Sequence, residues 1–285
     1  MSQGQTARVD GADLHSRAHA CLQLDDPVLK VAATEQLARD CAGSITLDEI
    51  TLDELSLDDA AAAPLPIGAP GRPARPRLVA PRNLPQRGLG SAAGRIGLIH
   101  AVAHIEFNAI NLALDAVYRF RGMPPEYYRD WIGVAADEAR HFALLSGRLA
   151  ELGAAYGDLD AHDGLWEMAV KTSESCLERM ALVPRVLEAR GLDVTPGMIA
   201  RVRDAGDTAT VAILEVILRE EVAHVAAGSR WFAWCCAREG CDPEATFAAL
   251  VAQHAAGAVR GPFNVAARIA AGFSEQELKR LGAAA

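Results

Sequence analysis

The sequence predicts an all-α fold, a four-helix bundle with extra N- and C-terminal helices and an extended Pro/Arg-rich strap. Three observations carry this. From Ser91 onward the chain reads as long helical patterns with little strand signal. Those patterns stop and start at Gly and Pro: Gly122-Met123-Pro124-Pro125, Gly153, Gly191, Thr195-Pro196 and Gly206. Hydrophobic residues make up 51% and charged residues 23% of the 285, enough apolar material for a core.

Residues 11–42 form two short helical segments, broken at Asp25-Asp26-Pro27. With the acidic run from Asp48 to Asp59, the N-terminal segment 1–60 holds 12 acidic against 4 basic side chains. The linker 61–90 is predicted to be extended, because Pro64, Pro66, Pro70, Pro73, Pro76, Pro81 and Pro85 remove donors and forbid helix. Arg72, Arg75, Arg77, Arg82 and Arg87 are interleaved with them. A solvated strap is the first reading of this strip, a docking or nucleic-acid arm the second. The region 91–285 is expected to hold the bundle and C-terminal helices. Its four long helices span about 91–120, 125–152, 165–190 and 207 to Gly228 or shortly beyond. A shorter segment starts at Thr195, and helical pieces at about 243–257 and 274–282 complete the chain.

The net charge of −9 gives no broad footprint for phosphate backbones. No window approaches 18 consecutive apolar residues, so no membrane span is expected. The N-terminus lacks the layout of a secretory signal. Six cysteines without a Cys-x-x-Cys pair suit a reducing cytoplasm.

The chemistry is concentrated in acidic and imidazole groups placed among apolar residues. Glu106 lies between Ile105 and Phe107 in the apolar first long helix, where an ionised carboxylate needs a compensating cation. Asp137-Glu138-Ala139-Arg140-His141 sets Glu138 and His141 on one helix face, a turn apart. Glu221-Val222-Ala223-His224 repeats the pattern in the fourth long helix. Two Glu-x-x-His pairs, with one glutamate from each of the other two helices, form the layout of a carboxylate-bridged two-metal bundle.

Glu106 supplies one of those glutamates. Glu188 is the choice for the other, because Glu106 precedes Glu138 by 32 positions and Glu188 precedes Glu221 by 33. Glu174 and Glu178 are alternatives, and Pro184 should kink the helix before Glu188. Four glutamates balance two divalent cations; without metal they would repel and take up protons. Carboxylate and imidazole donors suit iron or manganese, and zinc is compatible by ligand type. Asp137 and Glu220 either orient the imidazoles or are solvated acids. His100, His104, Trp231, Trp234 and Tyr118 are expected in structural roles, and Cys235 and Cys236 as buried thiols. No phosphate-binding loop, zinc-protease or zinc-deaminase motif is present.

Several runs together resemble the ferritin-like superfamily, in a branch known as a domain of unknown function. They are Gly90 to Arg95, His100 to Asp115, Asp137 to His141, Ala181 to Gly191 and Arg219-Glu220-Glu221-Val222-Ala223-His224. The resemblance covers about residues 72–275. Glu188-Ala189-Arg190 is also similar to the third-helix run of the superfamily's non-haem di-iron hydroxylase of a modified adenosine in tRNA. The resemblance implies a ferritin-like bundle with a metal site at Glu106, Glu138, His141, Glu188, Glu221 and His224. The expected cofactor is two iron ions, with manganese or a mixed Fe/Mn pair as alternatives. An oxidoreductase activating dioxygen or peroxide, hydroxylase-like, follows, with a small molecule or modified nucleoside as substrate and an electron donor protein as partner. Two other functions compete: iron handling (ferroxidase or peroxide scavenging), and a metal-stabilised interaction module without catalysis. Likeness of fold does not carry a substrate with it.

Overall fold

The computed structural model describes residues 14–43, 64–85, 88–255, 257 and 259–283. The acidic run 48–59 and Arg87 lie outside them. The regular secondary structure of the described residues is helical, with no β-strand among them; one isolated parallel bridge joins Leu78 to Ala161.

Helices α1 (Leu14–Gln23) and α2 (Pro27–Gly43) pack against α3 (Ala92–Arg119) and α4 (Pro125–Glu151). The Asp26 side chain accepts hydrogen bonds from the Val28 and Leu29 amides at the expected break. Ser91 caps α3 by accepting from the Gly94 amide. Gly153 lies just past α4 with φ 73°, the left-handed geometry that ends a helix at glycine.

By length and composition α3 could cross a membrane, with mean hydropathy 1.2 in its most apolar window. That window is 72% buried within the protein, and buried Glu106 and Asp115 lie on the same helix. Here α3 is the core helix of a bundle.

The third long helix departs from expectation. Instead of one helix over 165–190 there are α5 (Gly164–Lys171), α6 (Cys176–Leu182), a π-helical segment (Val183–Glu188) and α7 (Ala189–Asp204). Ser175 restarts the chain by accepting from the Glu178 amide, and Ser175-Cys176-Leu177-Glu178 has the sequence of a capping box. At Pro184, where a kink was expected, the helix widens to π geometry. The proline lacks an N–H, and the Ala189 amide reaches back five residues to the Pro184 carbonyl.

Gly191 does not stop this helix, nor does Thr195-Pro196 start one; α7 runs through all three. Proline removes only one rung there. Buried Leu192, Thr195, Ile199 and Val202 form a stripe at helical spacing that holds the segment together.

Helix α8 (Thr208–Glu239) is capped by Asp207, as expected, and passes Gly228 to end at Gly240, φ 70°. At Gly228 the π segment crosses closely: a Cβ there would lie 2.3 Å from Cβ and Cγ of Pro184. Gly228→Ala should therefore force the rigid proline ring away and lower stability by about 1–3 kcal/mol, despite alanine's better helix propensity. Chemical denaturation of the variant checks this.

Helices α9 (Pro243–His254), α10 (Val265–Ala270) and α11 (Glu275–Ala283) close the chain; α10 was not foreseen. They brace the π segment. Buried Arg185 pairs with Glu277 of α11 at 2.7 Å and stacks over the rings of Phe247 (4.2 Å), Phe273 (4.5 Å) and Phe232 (4.9 Å). Arg268 pairs with Asp193 at 2.7 Å, joining α10 to α7. The segment carrying Glu188 is thus fixed from both ends.

The strap, residues 64–85, is extended apart from one 3-10 turn (Pro81–Asn83). Its amides bond to the rest of the fold: Gly71 N–H to Leu22 O, Val79 N–H to Ala161 O, and Leu65 N–H to the Tyr118 hydroxyl. Arg72 and Arg77 pair with Asp163 and Asp160 at 3.4 and 2.6 Å. Lys30, fully buried, donates to Leu22 O, Gly71 O and Asn111, tying α2, the strap and α3 together; burial lowers its amine to about 7.

Candidate metal centre

Helices α3, α4 and α8 and the π segment all present acidic groups to the interior. Glu106, Glu138, His141, Glu221 and His224 are all buried, His141 completely. Their donor atoms form two groups with one member in common. Glu106, Glu138 and His141 lie within 4.8 Å of one another, as do Glu138, Glu221 and His224.

Glu138 is the shared residue, and its two oxygens are divided between the groups. Oε2 lies 3.3 Å from His141 Nδ1, and Oε1 lies 3.0 Å from His224 Nδ1. Glu106 Oε2 approaches His141 Nδ1 at 3.2 Å; Glu221 Oε2 approaches His224 Nδ1 at 3.4 Å. The imidazole centroids are 5.8 Å apart. Each Glu-x-x-His pair meets across one helical turn, as its spacing requires.

Glu188 ends the π segment and faces the same interior. It lines one cavity with Glu106, Glu138 and Glu221, and its buried Oε2 has no hydrogen-bond partner. Glu174 and Glu178, the alternatives, are absent from that lining; Glu174 is exposed beside Ser173.

Asp137 and Glu220 do orient the imidazoles, but crosswise. His141 Nε2 lies 2.8 Å from Glu220 of the opposite motif, and His224 Nε2 lies 3.3 Å from Asp137. Arg140 bridges the two acids, 2.9 Å from Asp137 and in contact with Glu220. The His141 ring is thus held by α3 and α4 at Nδ1 and by α8 at Nε2, and the His224 ring by α4 and α8 at Nδ1 and by α4 at Nε2. The role of Arg140 was missed, although its place three residues after Asp137 was a signal.

The electrostatics are those of a cluster short of positive charge. Burial, then the neighbouring Glu138 carboxylate, pushes the Glu106 carboxyl well above its ordinary range. Burial and the charges of Glu221 and Glu138 do the same to Glu188, and burial raises Glu221. Burial acts to raise Glu138 also, but hydrogen bonds with Glu106, His141 and His224 outweigh it and hold that carboxyl low. Burial disfavours imidazolium at His141, yet its bonds to Glu106 and Glu138 raise it to about 10; His224 is raised likewise by Asp137 and Glu138. Burial thus favours the neutral carboxyls of Glu106, Glu188 and Glu221, while the carboxylate partners of His141 and His224 favour imidazolium.

The adjoining cavity has a volume of about 150 Å³. Apart from the carboxylates its lining is mainly aliphatic, from Val102, Leu112, Leu187, Val194, Met198, Leu214, Ile217 and Leu218, with Thr195 among them. It extends to the exposed Ile105 and Arg190.

The other aromatic and imidazole residues are structural. His100 Nε2 accepts from the Gly157 amide, and His104 pairs with the Tyr156 hydroxyl at 2.9 Å, so both anchor the loop after α4. Trp231 donates to Asp130 and packs edge-on against Tyr127. All six cysteines are free, with Cys235 and Cys236 buried.

Among known proteins, the chain is similar to an uncharacterized protein of Haemophilus influenzae. The two are 45% identical over 213 residues, which cover 72% of this chain and 74% of that one. No solved structure matches. A family model described as Protein of unknown function (DUF455) matches residues 23–279, and the chain belongs to that family.

Proposed function

We propose that the chain is a ferritin-like, two-metal carboxylate protein acting as an oxidoreductase that activates dioxygen or peroxide. One observation carries this reading: two buried Glu/His groups share Glu138, one of its oxygens facing each histidine. Glu106, Glu138 and His141 would hold one ion; Glu138, Glu221 and His224 would hold the other. Glu188 would add the sixth ligand, and its partnerless buried oxygen fits a cation. Two iron ions suit these donors best, with manganese in place of one or both as the alternative. Bound iron would supply redox chemistry toward dioxygen or peroxide.

The protein's own share of the work is positional. Asp137 and Glu220 fix the imidazole rings through Nε2, leaving Nδ1 directed at the carboxylates. The mainly aliphatic cavity beside the carboxylates gives room for a substrate, which favours turnover over iron storage. A separate electron donor protein belongs to this proposal, and six free thiols support a reducing cytoplasm as its setting.

The test is metal analysis of protein loaded with ferrous iron without air, followed by absorption spectra on adding oxygen. Two ions per chain and a new absorption band with oxygen uptake are expected. Ions that stay bound with no spectral change would reduce the centre to a structural one.

A further inference from the structure

We propose that the cavity beside the carboxylates is a binding site for a compact apolar group about the size of benzene, and that Gly191 sets its size. The volume of about 150 Å³ is that of an apolar cavity known to stay dry and accept benzene or xenon. Pockets for drug-sized ligands start at about twice that volume. The walls from Val102, Leu112, Leu187, Met198, Leu214 and Ile217 offer no hydrogen bonds. A purine with its sugar is larger than this cavity, so only a small part of such a molecule could enter.

Gly191 is the unexplained residue of this wall. A glycine inside a helix costs conformational entropy and normally has a backbone or packing reason. Neither is present here. Gly191 lies in α7 without a left-handed φ, and a Cβ built on it would meet only Glu221 Cγ, at an ordinary 3.9 Å. The visible consequence of the missing side chain is open space beside a carboxylate of the metal centre. Any larger residue would project into that space.

As a substrate site, the cavity rests on the two-metal reading; as an apolar binding site, it does not. The experiment is xenon pressurisation of crystals of the full chain, metal-free and metal-loaded, for the wild type and Gly191→Leu. A xenon peak next to Gly191 is expected in the wild type and its loss in Gly191→Leu, with metal content equal in the two proteins. Benzene titration in solution should show the same loss. An empty cavity in the wild type, or an undiminished peak in Gly191→Leu, would overturn the inference. Should the leucine variant not fold, Gly191→Ala is expected to lower xenon occupancy, and unchanged occupancy overturns the inference equally. Two bound metals with no xenon reject this inference alone. Xenon without metals rejects the metal reading and the substrate role with it, and leaves the apolar site standing.

Discussion

Glu138→Ala is expected to abolish binding of both ions, whereas Glu106→Ala and Glu221→Ala each weaken one. The asymmetry follows from position. Glu138 belongs to both buried groups, and its two oxygens point to different histidines; Glu106 and Glu221 belong to one group each. Loss of groups that merely orient a ligand costs about 10–100-fold in metal affinity, so loss of a shared ligand should exceed that for each ion. Titration with ferrous or manganous ion, read by calorimetry, measures stoichiometry and affinity together. Circular dichroism establishes that the variant keeps its helices. Equal losses at Glu138, Glu106 and Glu221 would mean that Glu138 is not shared.

The second large effect is on pH. In the metal-free protein His141 keeps its proton up to about 10, and His224 is also raised, because each imidazolium is paired with carboxylates. Metal binding must expel both protons, along with those held by the raised carboxyls of Glu106, Glu188 and Glu221. With two or more protons released, affinity should rise by no less than about a hundredfold per pH unit between roughly pH 6 and 8.

The stability of the metal-free protein runs the opposite way. A histidine raised in the folded state contributes stability fully below its ordinary 6.5, and that contribution is lost as pH rises toward about 10. Carboxyls that stay protonated in the folded state act in the same direction above their ordinary 4.5. Melting of the metal-free protein should therefore fall from mildly acidic to alkaline pH, while the loaded protein changes less. A pH-independent metal affinity would show that the histidines are not ligands.

Which parts of this were legible beforehand follows from which are local. Glu138 with His141, and Glu221 with His224, meet across a single turn, so spacing alone brought each pair together. Glu106 was conspicuous as an acid in an apolar helix. The crossing of Asp137 to His224 and Glu220 to His141 depends on how α4 packs against α8, and one helix at a time carries no record of it. The third helix misled for a different reason. Gly191 and Thr195-Pro196 are strong punctuation, yet the buried stripe from Leu192 to Val202 outweighed them; the true break was written in Ser175 and Glu178. Glu188 was reached through equal spacing, but a π segment under Pro184 delivers it rather than a helix end. The fourth long helix was expected to end near Gly228 or shortly beyond; it runs on to Glu239, and Gly228 is the contact that admits Pro184.

The most direct measurement is an anomalous-scattering map from crystals soaked in manganous or ferrous ion. The expected result is two peaks per chain, one on each side of Glu138, bounded by Glu106 and His141 on one flank and by Glu221, His224 and Glu188 on the other. A map with no peak among these six side chains, at ion concentrations that fill ordinary carboxylate sites, would contradict a two-metal centre.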